Sequence, residues 1–209
     1  MWELFQAGGP VMWPLLLCSI SSLTVILERA YFWTRPDLAE NRAAIETLLE
    51  EYQRQEKLDS SGQNQPDHPE RKGAIFRVLL AGIAETGLAS SKAMEAAALE
   101  ELRLMRRGMN ILDTIITLAP MLGILGTVTG IISSFDILGQ SGVEDPKAVV
   151  SGIAEALITT AAGLGISIVT VFPFNYFNSR LEDAQDLFEH YGTRLEIAQE
   201  TLNREKQDC

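Results

Sequence analysis

Long uncharged apolar runs alternate along this chain with polar stretches of helical period. No residue from Thr114 to Phe135 is charged, and from Ala148 to Ser179 only Glu155 is. Each run exceeds the roughly 20 apolar residues that an α-helix needs to cross a bilayer. A short polar turn, Gln140–Lys147, joins them, so the pair predicts a transmembrane hairpin with one carboxylate inside it. An earlier apolar run starts near Pro10 and reaches Leu27, and Tyr31, Phe32 and Trp33 extend it with an interfacial aromatic belt.

The stretch between the first and second runs, Arg35–Asn110, is polar. Ile45, Leu48, Leu49 and Tyr52 fall at helical spacing within Ala39–Leu58, and Ser60–Pro69 has the Ser, Gly, Asn and Pro content of a loop. Ala74–Leu88 is apolar enough to pack against a neighbour. Ala89-Ser90-Ser91 opens an amphipathic helix over Lys92–Arg107, expected to run unbroken into the second span. The expected fold is an all-α membrane protein with three transmembrane helices, the second and third extended into a cytoplasmic helical domain. Its segments are 1–9 (periplasmic), 10–33 (span one), 34–110 (cytoplasmic domain), 111–138 (span two), 139–147 (periplasmic turn), 148–178 (span three) and 179–209 (cytoplasmic helix).

Composition alone would mislead. A chain of 209 residues, 46% hydrophobic with net charge -11, could be soluble; the segregation of its apolar residues is what marks a polytopic membrane protein. The acidic balance argues against nucleic acid as a partner. Cys18 lies in the first run and Cys209 ends the chain, which makes no disulfide framework. The first ten residues hold no Lys or Arg, so no cleavable signal peptide is expected. His68 and His190 are too isolated to predict a metal site. Arginines follow span one (Arg29, Arg35, Arg42), precede span two (Arg103, Arg106, Arg107) and follow span three (Arg180, Arg194), whereas the hairpin turn has only Lys147. By the positive-inside rule the N-terminus lies outside and the C-terminus in the cytoplasm.

A helical wheel divides both hairpin spans. In span two, Ala119, Pro120, Gly123, Gly126, Thr127, Gly130, Ser133 and Ser134 share one face, opposite Ile124, Leu125, Val128 and Ile132. Gly126 and Gly130 form a small-xxx-small pair that permits close helix approach. In span three, Gly152, Ala156, Thr159, Thr160, Gly163, Ser167 and Thr170 form a small, hydroxyl-bearing face with Glu155 at its edge, opposite Ile153, Leu157, Leu164, Ile168 and Val171. Thr127 has two open roles: bonding the carbonyl one turn back, or lining an ion path. Glu155 has two as well, a structural carboxylate bonded to neighbouring hydroxyls or an ion-path group, because an acid within a span faces a protein interior or a water-filled cavity. Faces this small are expected to fill a monomer's core poorly, and so to border a pore shared among copies or a groove for another helix. Pro120 removes a backbone donor and predicts a local bend.

The run Pro120-Met121-Leu122-Gly123-Ile124-Leu125-Gly126-Thr127-Val128-Thr129-Gly130-Ile131 and the run Gly152–Leu164 together resemble the core signature of the MotA/TolQ/ExbB proton channel family, in its ExbB/TolQ-like branch. The opening Ala7–Leu15 through Ile26–Arg29, and Asn175-Tyr176-Phe177 leading to Arg180, are similar to that branch too. The resemblance implies a homopentamer in the bacterial inner membrane around a dimer of an ExbD/TolR-like single-span partner. An aspartate on that partner helps pass ions, which turn ring and partner relative to each other. A TonB/TolA-like transducer would then carry the energy to a cell-envelope or outer-membrane process. By motif position Thr127 and Thr160 match the pore threonines, Glu155 the span-three glutamate, and Pro120 the proline heading the span-two motif. No cofactor is implied. The translocated ion is a proton by resemblance, and hydroxyl and carboxylate ligands suit sodium equally.

The chain departs from the family pattern at two places. Val169 stands where a proline usually follows the span-three threonine, and the proline comes later, at Pro173. Asp136, at the outer end of span two, replaces a commonly apolar residue, either as a solvated end or as a vestibule charge. The competing class is a non-conducting oligomeric membrane scaffold. A membrane enzyme is not expected, since the chain has no nucleophile–base pair, metal-ligand cluster or phosphate loop. The flagellar stator branch fits less well, having two spans where this chain has one before the polar domain.

Overall fold

The computed structural model describes residues 5, 8–34, 45–47, 49–50, 73–85, 87–141 and 146–207. Five helices are built from them: α1 (Met12–Trp33), α2 (Ala74–Ile83), α3 (Leu88–Met105), α4 (Met109–Ser141) and α5 (Pro146–Gln207). Residues 45–47 and 49–50 are helical as well, and no strand occurs among the described residues. The rest of the expected 39–58 helix, the 60–69 loop, Arg35 and Arg42 lie outside the described residues.

Three of these helices are long and apolar enough to cross a membrane: Met12–Trp33, Met109–Asp136 and the first part of Val150–Leu202. At 62 residues, α5 is about 93 Å long, roughly three times the hydrocarbon thickness of a bilayer. Its apolar part ends near Asn178, and charged residues take over from Arg180. Helix three therefore continues well past its span, as expected, and passes Pro173 without a break in the helix. Helix two does not. The sequence expectation of an unbroken helix from 92 into span two is corrected at 106–108, where a turn separates α3 from α4. Gly108 stands there at φ 79°, in the left-handed region that a helix interior excludes and glycine adopts without a Cβ clash.

The chain divides into two compact units. The first comprises Met1–Ala30 and Gly108–Asn178 and holds the spans. Its helices alternate in direction. Leu15 meets Ile115 and Ala119 whereas Val25 meets Gly108, so α1 runs antiparallel to α4, and pairings of Gly123 with Thr160 and Gly130 with Ala156 make α4 antiparallel to α5. Leu15, Ile115 and Ala119 form its buried apolar centre, flanked by Met12, Leu122 and Ile166. The outward faces are apolar too: Leu17 and Leu27 on α1, Ile124 and Ile132 on α4, and Leu157 and Ile168 on α5 are all more than half exposed. Such a surface suits lipid chains or a second copy, not water.

The second unit comprises Tyr31–Arg107 and Ser179–Cys209. Within it α5 presents Leu181, Phe188, Tyr191, Leu195, Ala198 and Leu202, all buried, at alternating spacings of seven or of three and four. That is a heptad seam, which keeps one stripe of a long helix turned to its neighbours. Ile75, Phe76, Val78 and Leu79 of α2 and Met94 of α3 pack on it, as expected of the apolar 74–88 stretch. The carbonyl of Gly82, in the last turn of α2, accepts from Ser90 Oγ (2.7 Å) and Gln199 Nε2 (3.2 Å), both buried. The Glu85 N–H reaches the same oxygen at 3.4 Å, and the two side chains complete the hydrogen bonding of a terminal carbonyl that burial hides from water. Two-pronged ion pairs, Arg77–Glu101 (2.5 and 2.7 Å) and Arg194–Glu46 (2.6 and 2.9 Å), clasp the unit's outside. His190 stacks edge-on against Tyr191 at 5.1 Å, on an exposed position.

Candidate functional site: a hydroxyl node and a carboxylate in the span bundle

The small faces of α4 and α5 meet each other. A Cβ on Gly123 would lie 3.0 Å from Thr160 Cα and 3.1 Å from the Thr159 carbonyl oxygen; one on Gly130 would lie 3.0 Å from Ala156 Cβ and 3.1 Å from the Gly152 carbonyl oxygen. Gly126 faces the Thr159 side chain, Gly152 faces Ser134 Oγ, and Gly163 faces the Ala119 carbonyl. The glycines let two backbones approach as closely as helices can, which is how helices associate where no hydrophobic force separates them from lipid. Ala119, Ala156, Thr159 and Ser134 are buried along this seam, as their shared faces predicted. Ser133 is exposed instead, one position past the seam, and Val171 on the expected outer face is half-buried. The expectation that such small faces fill a monomer's core poorly is corrected: they fit one another within one chain, because the two spans match small against small in antiparallel register.

Three hydroxyls converge on the seam's centre. Thr127 Oγ1 and Thr160 Oγ1 each lie 3.0 Å from the Gly123 carbonyl oxygen and hydrogen-bond to each other, while Thr159 Oγ1 reaches the same carbonyl at 3.5 Å and donates to the Ala156 carbonyl at 2.8 Å. Thr127 thus bonds the carbonyl one turn back and pairs across the helices as well. The triangle of Thr127, Thr160 and the Gly123 oxygen has three edges but only two protons, since each hydroxyl donates once. One hydroxyl donates to the carbonyl and the second hydroxyl donates to the first. Two such arrangements exist, and exchanging them reverses the direction of the chain of donors. Thr127 and Thr160 are both half-buried, so this node is in partial contact with the surroundings of the bundle.

Pro120 shapes the next turn. Its nitrogen carries no hydrogen, so the Ile116 carbonyl lacks the donor it would have in a regular helix. Ser167 Oγ of α5 supplies one at 2.7 Å. A turn further along, Thr170, fully buried, lies 2.7 Å from the Ile166 carbonyl and 3.1 Å from Ser22 Oγ of α1. All three spans are thereby linked by hydroxyls at positions where an unpaired polar group would be costly.

Glu155 sits five residues before Thr160 on α5, about 7.5 Å along the helix axis. It is half-buried beside Gly9, in the turn that leads into α1. Sequence reasoning placed Thr127 and Thr160 on faces that meet, but missed Gly9 as the neighbour of Glu155 and Ser22 as the partner of Thr170. The turn-forming run Gly8-Gly9-Pro10 and the helical periodicity of α1 were the local signals available. Asp136 is exposed at the far end of α4. The described residues contain no cluster of His, Cys, Asp or Glu able to hold a metal ion.

A helical bundle with three apolar helices long enough to cross a bilayer defines a multi-pass membrane protein. The chain belongs to the MotA/TolQ/ExbB proton channel family, whose model matches residues 70–190. Over 203 residues it is 40% identical to an ExbB-like biopolymer transport protein of Synechocystis sp., covering 92% of this chain and 76% of that one. It is 33% identical over 190 residues to an ExbB homolog of Methanothermobacter thermautotrophicus, covering 90% of this chain and 66% of the homolog. With the ExbB biopolymer transport protein of Xanthomonas campestris pv. campestris it shares 38% identity over 102 residues, 47% of this chain and 40% of that protein. These relatives place it in the ExbB-like branch that the two span motifs resemble.

Proposed function

We propose that this chain is the ring subunit of an inner-membrane, ion-driven motor of ExbB/TolQ type. Five copies surround a dimer of an ExbD/TolR-like single-span partner, with the N-terminus in the periplasm and the segments 34–110 and 179–209 in the cytoplasm. Proton passage at the ring–partner boundary turns one against the other, and a TonB/TolA-like transducer passes the work to a cell-envelope or outer-membrane process. The observation that carries this reading is the two-proton triangle of Thr127, Thr160 and the Gly123 carbonyl. It is reversible, partly open to the bundle's surroundings and lies about a turn and a half from Glu155. When one threonine hydroxyl turns from the Gly123 carbonyl towards the partner's carboxylate or a water, it can give up its proton there while taking one from the other threonine. The pair thus relays a proton with no ionised side chain of its own in a low-dielectric site. Glu155 supplies the ionisable group, and the partner's aspartate supplies the one that alternates between charged and neutral forms. Pro120, Gly123, Gly126, Gly130, Gly152, Ala156, Thr159 and Gly163 hold the two spans in the register that builds the node.

The test is partner-dependent proton flux into liposomes holding the co-purified complex. Thr160→Ala and Glu155→Gln should each lower flux at least tenfold while assembly is unchanged, and Thr160→Ser should retain it. Full flux in Thr160→Ala would remove the hydroxyl relay from the mechanism.

The close fit of α4 and α5 within one chain favours a second reading, a non-conducting scaffold in which the glycines serve only to hold helices together. Under that reading Glu155→Gln alters the native mass of the purified complex and leaves no flux to lose.

A further inference from the structure

The turn that leads into α1 lies across one helical turn of α5. A Cβ on Gly8 would lie 3.4 Å from Ile158 Cγ2, and for Gly9 the three nearest heavy atoms all belong to Glu155. A Cβ on Gly9 would overlap Glu155 Oε1 and stand 2.9 Å from the carboxyl carbon and 3.6 Å from Cγ. The carboxylate therefore fills the space that any other residue at position 9 would take. Gly9 also has φ 64°, so its backbone is left-handed, which L side chains rarely adopt.

This turn is held on both sides. Gly8 N–H donates to the Phe5 carbonyl at 3.3 Å, Met12 N–H to the Gly9 carbonyl at 3.2 Å and Trp13 N–H to the Pro10 carbonyl at 3.3 Å. The Phe5 ring meets Trp13 edge-on with centroids 5.3 Å apart, clamping residues on either side of the turn. A clamped backbone with no side chain at its apex can cover a carboxylate closely without placing an apolar group on it.

We propose that the Gly8–Gly9 turn is a backbone lid over Glu155, and that Gly9 is a positioning residue that keeps the carboxylate in one orientation and limits access to it from that side. The proposal rests on the ion-path reading of Glu155. It gives that group a fixed cover in the same chain: the turn sets how far the carboxylate can be reached from that side.

The test uses the full-length protein in native membranes, with its partner. A hydrophobic carbodiimide labels accessible carboxylates, and the rate of labelling at Glu155 is followed by mass spectrometry. Gly9→Ala forces both the strained backbone and the overlap, so the labelling rate should rise about fivefold or more. Gly9→Asn tolerates the left-handed backbone but still carries a Cβ, so it separates overlap from strain and should raise the rate as well. Gly139→Ala, where no atom lies within 4 Å of the added Cβ, should leave it unchanged. In a Glu155→Asp background the carboxylate is one methylene shorter, and adding Gly9→Asn should then change labelling at position 155 less than twofold. Labelling within twofold of the parent in both Gly9 variants, in assembled complexes, would overturn the lid. The two readings fail separately. Flux that survives Glu155→Gln would sink the ion path, whereas the labelling rates of the Gly9 variants report on the lid alone.

Discussion

If Ser167 replaces the hydrogen bond that Pro120 abolishes, the two residues are energetically coupled although they lie on different helices. Ser167→Ala leaves the Ile116 carbonyl with neither its helical donor nor the hydroxyl 2.7 Å away. An unsatisfied buried carbonyl costs about 1–3 kcal/mol, and hydrogen bonds between membrane helices have measured nearer 0.6–2. We expect Ser167→Ala to destabilise by about 1–2 kcal/mol. Pro120→Ala returns an N–H to position 120, so the Ile116 carbonyl regains an intrahelical donor. In that background Ser167→Ala should cost about 1 kcal/mol less. The cycle is measured by reversible unfolding of the detergent-solubilised protein, following α-helical circular dichroism. Distant, independent sites add within roughly 0.3–0.5 kcal/mol. Additivity within that margin would show that the hydroxyl does not stand in for the missing donor.

Two further outcomes follow from the same geometry. Gly163→Val places a branched side chain on the Ala119 carbonyl and 3.2 Å from Gly123 Cα, and should destabilise by about 1–3 kcal/mol as an overpacked contact does, whereas Gly165→Ala, with nothing within 4 Å, should change unfolding very little. In the other unit, the hydrogen bond and charge of Arg194 hold the Glu46 carboxyl below the usual carboxylate range. A depressed folded-state value makes this pair's contribution full above the unfolded carboxylate value of about 4.3 and lost as pH falls through the lower folded value. Glu46→Gln should accordingly unfold at a lower temperature than the parent at neutral pH, and the difference should vanish in acid.

The sequence by itself determined the class of this protein. Uncharged runs longer than a bilayer is thick have one stable solution in lipid, a helix that satisfies its own backbone, and the 3.6-residue period then sorts each span into a small face and a bulky one. The faces on which Thr127 and Thr160 meet were legible for that reason, as was the continuation of helix three past its span. What the periodicity could not express is which small face meets which. The seam decided that: Gly123 came to rest on Thr159 and Thr160, and its carbonyl gathered hydroxyls from residues 36 and 37 positions away. The break before α4 was local but hidden, because Gly108 follows residues that all suit a helix and only its left-handed backbone ends the run. Ser167 and Gly9 owe their roles wholly to tertiary structure. One answers a donor missing 47 residues away at Pro120, and the other leaves room for a carboxylate on a helix that begins more than a hundred residues later. A pattern along one chain records which residues can be buried; only packing brings an acceptor to its donor.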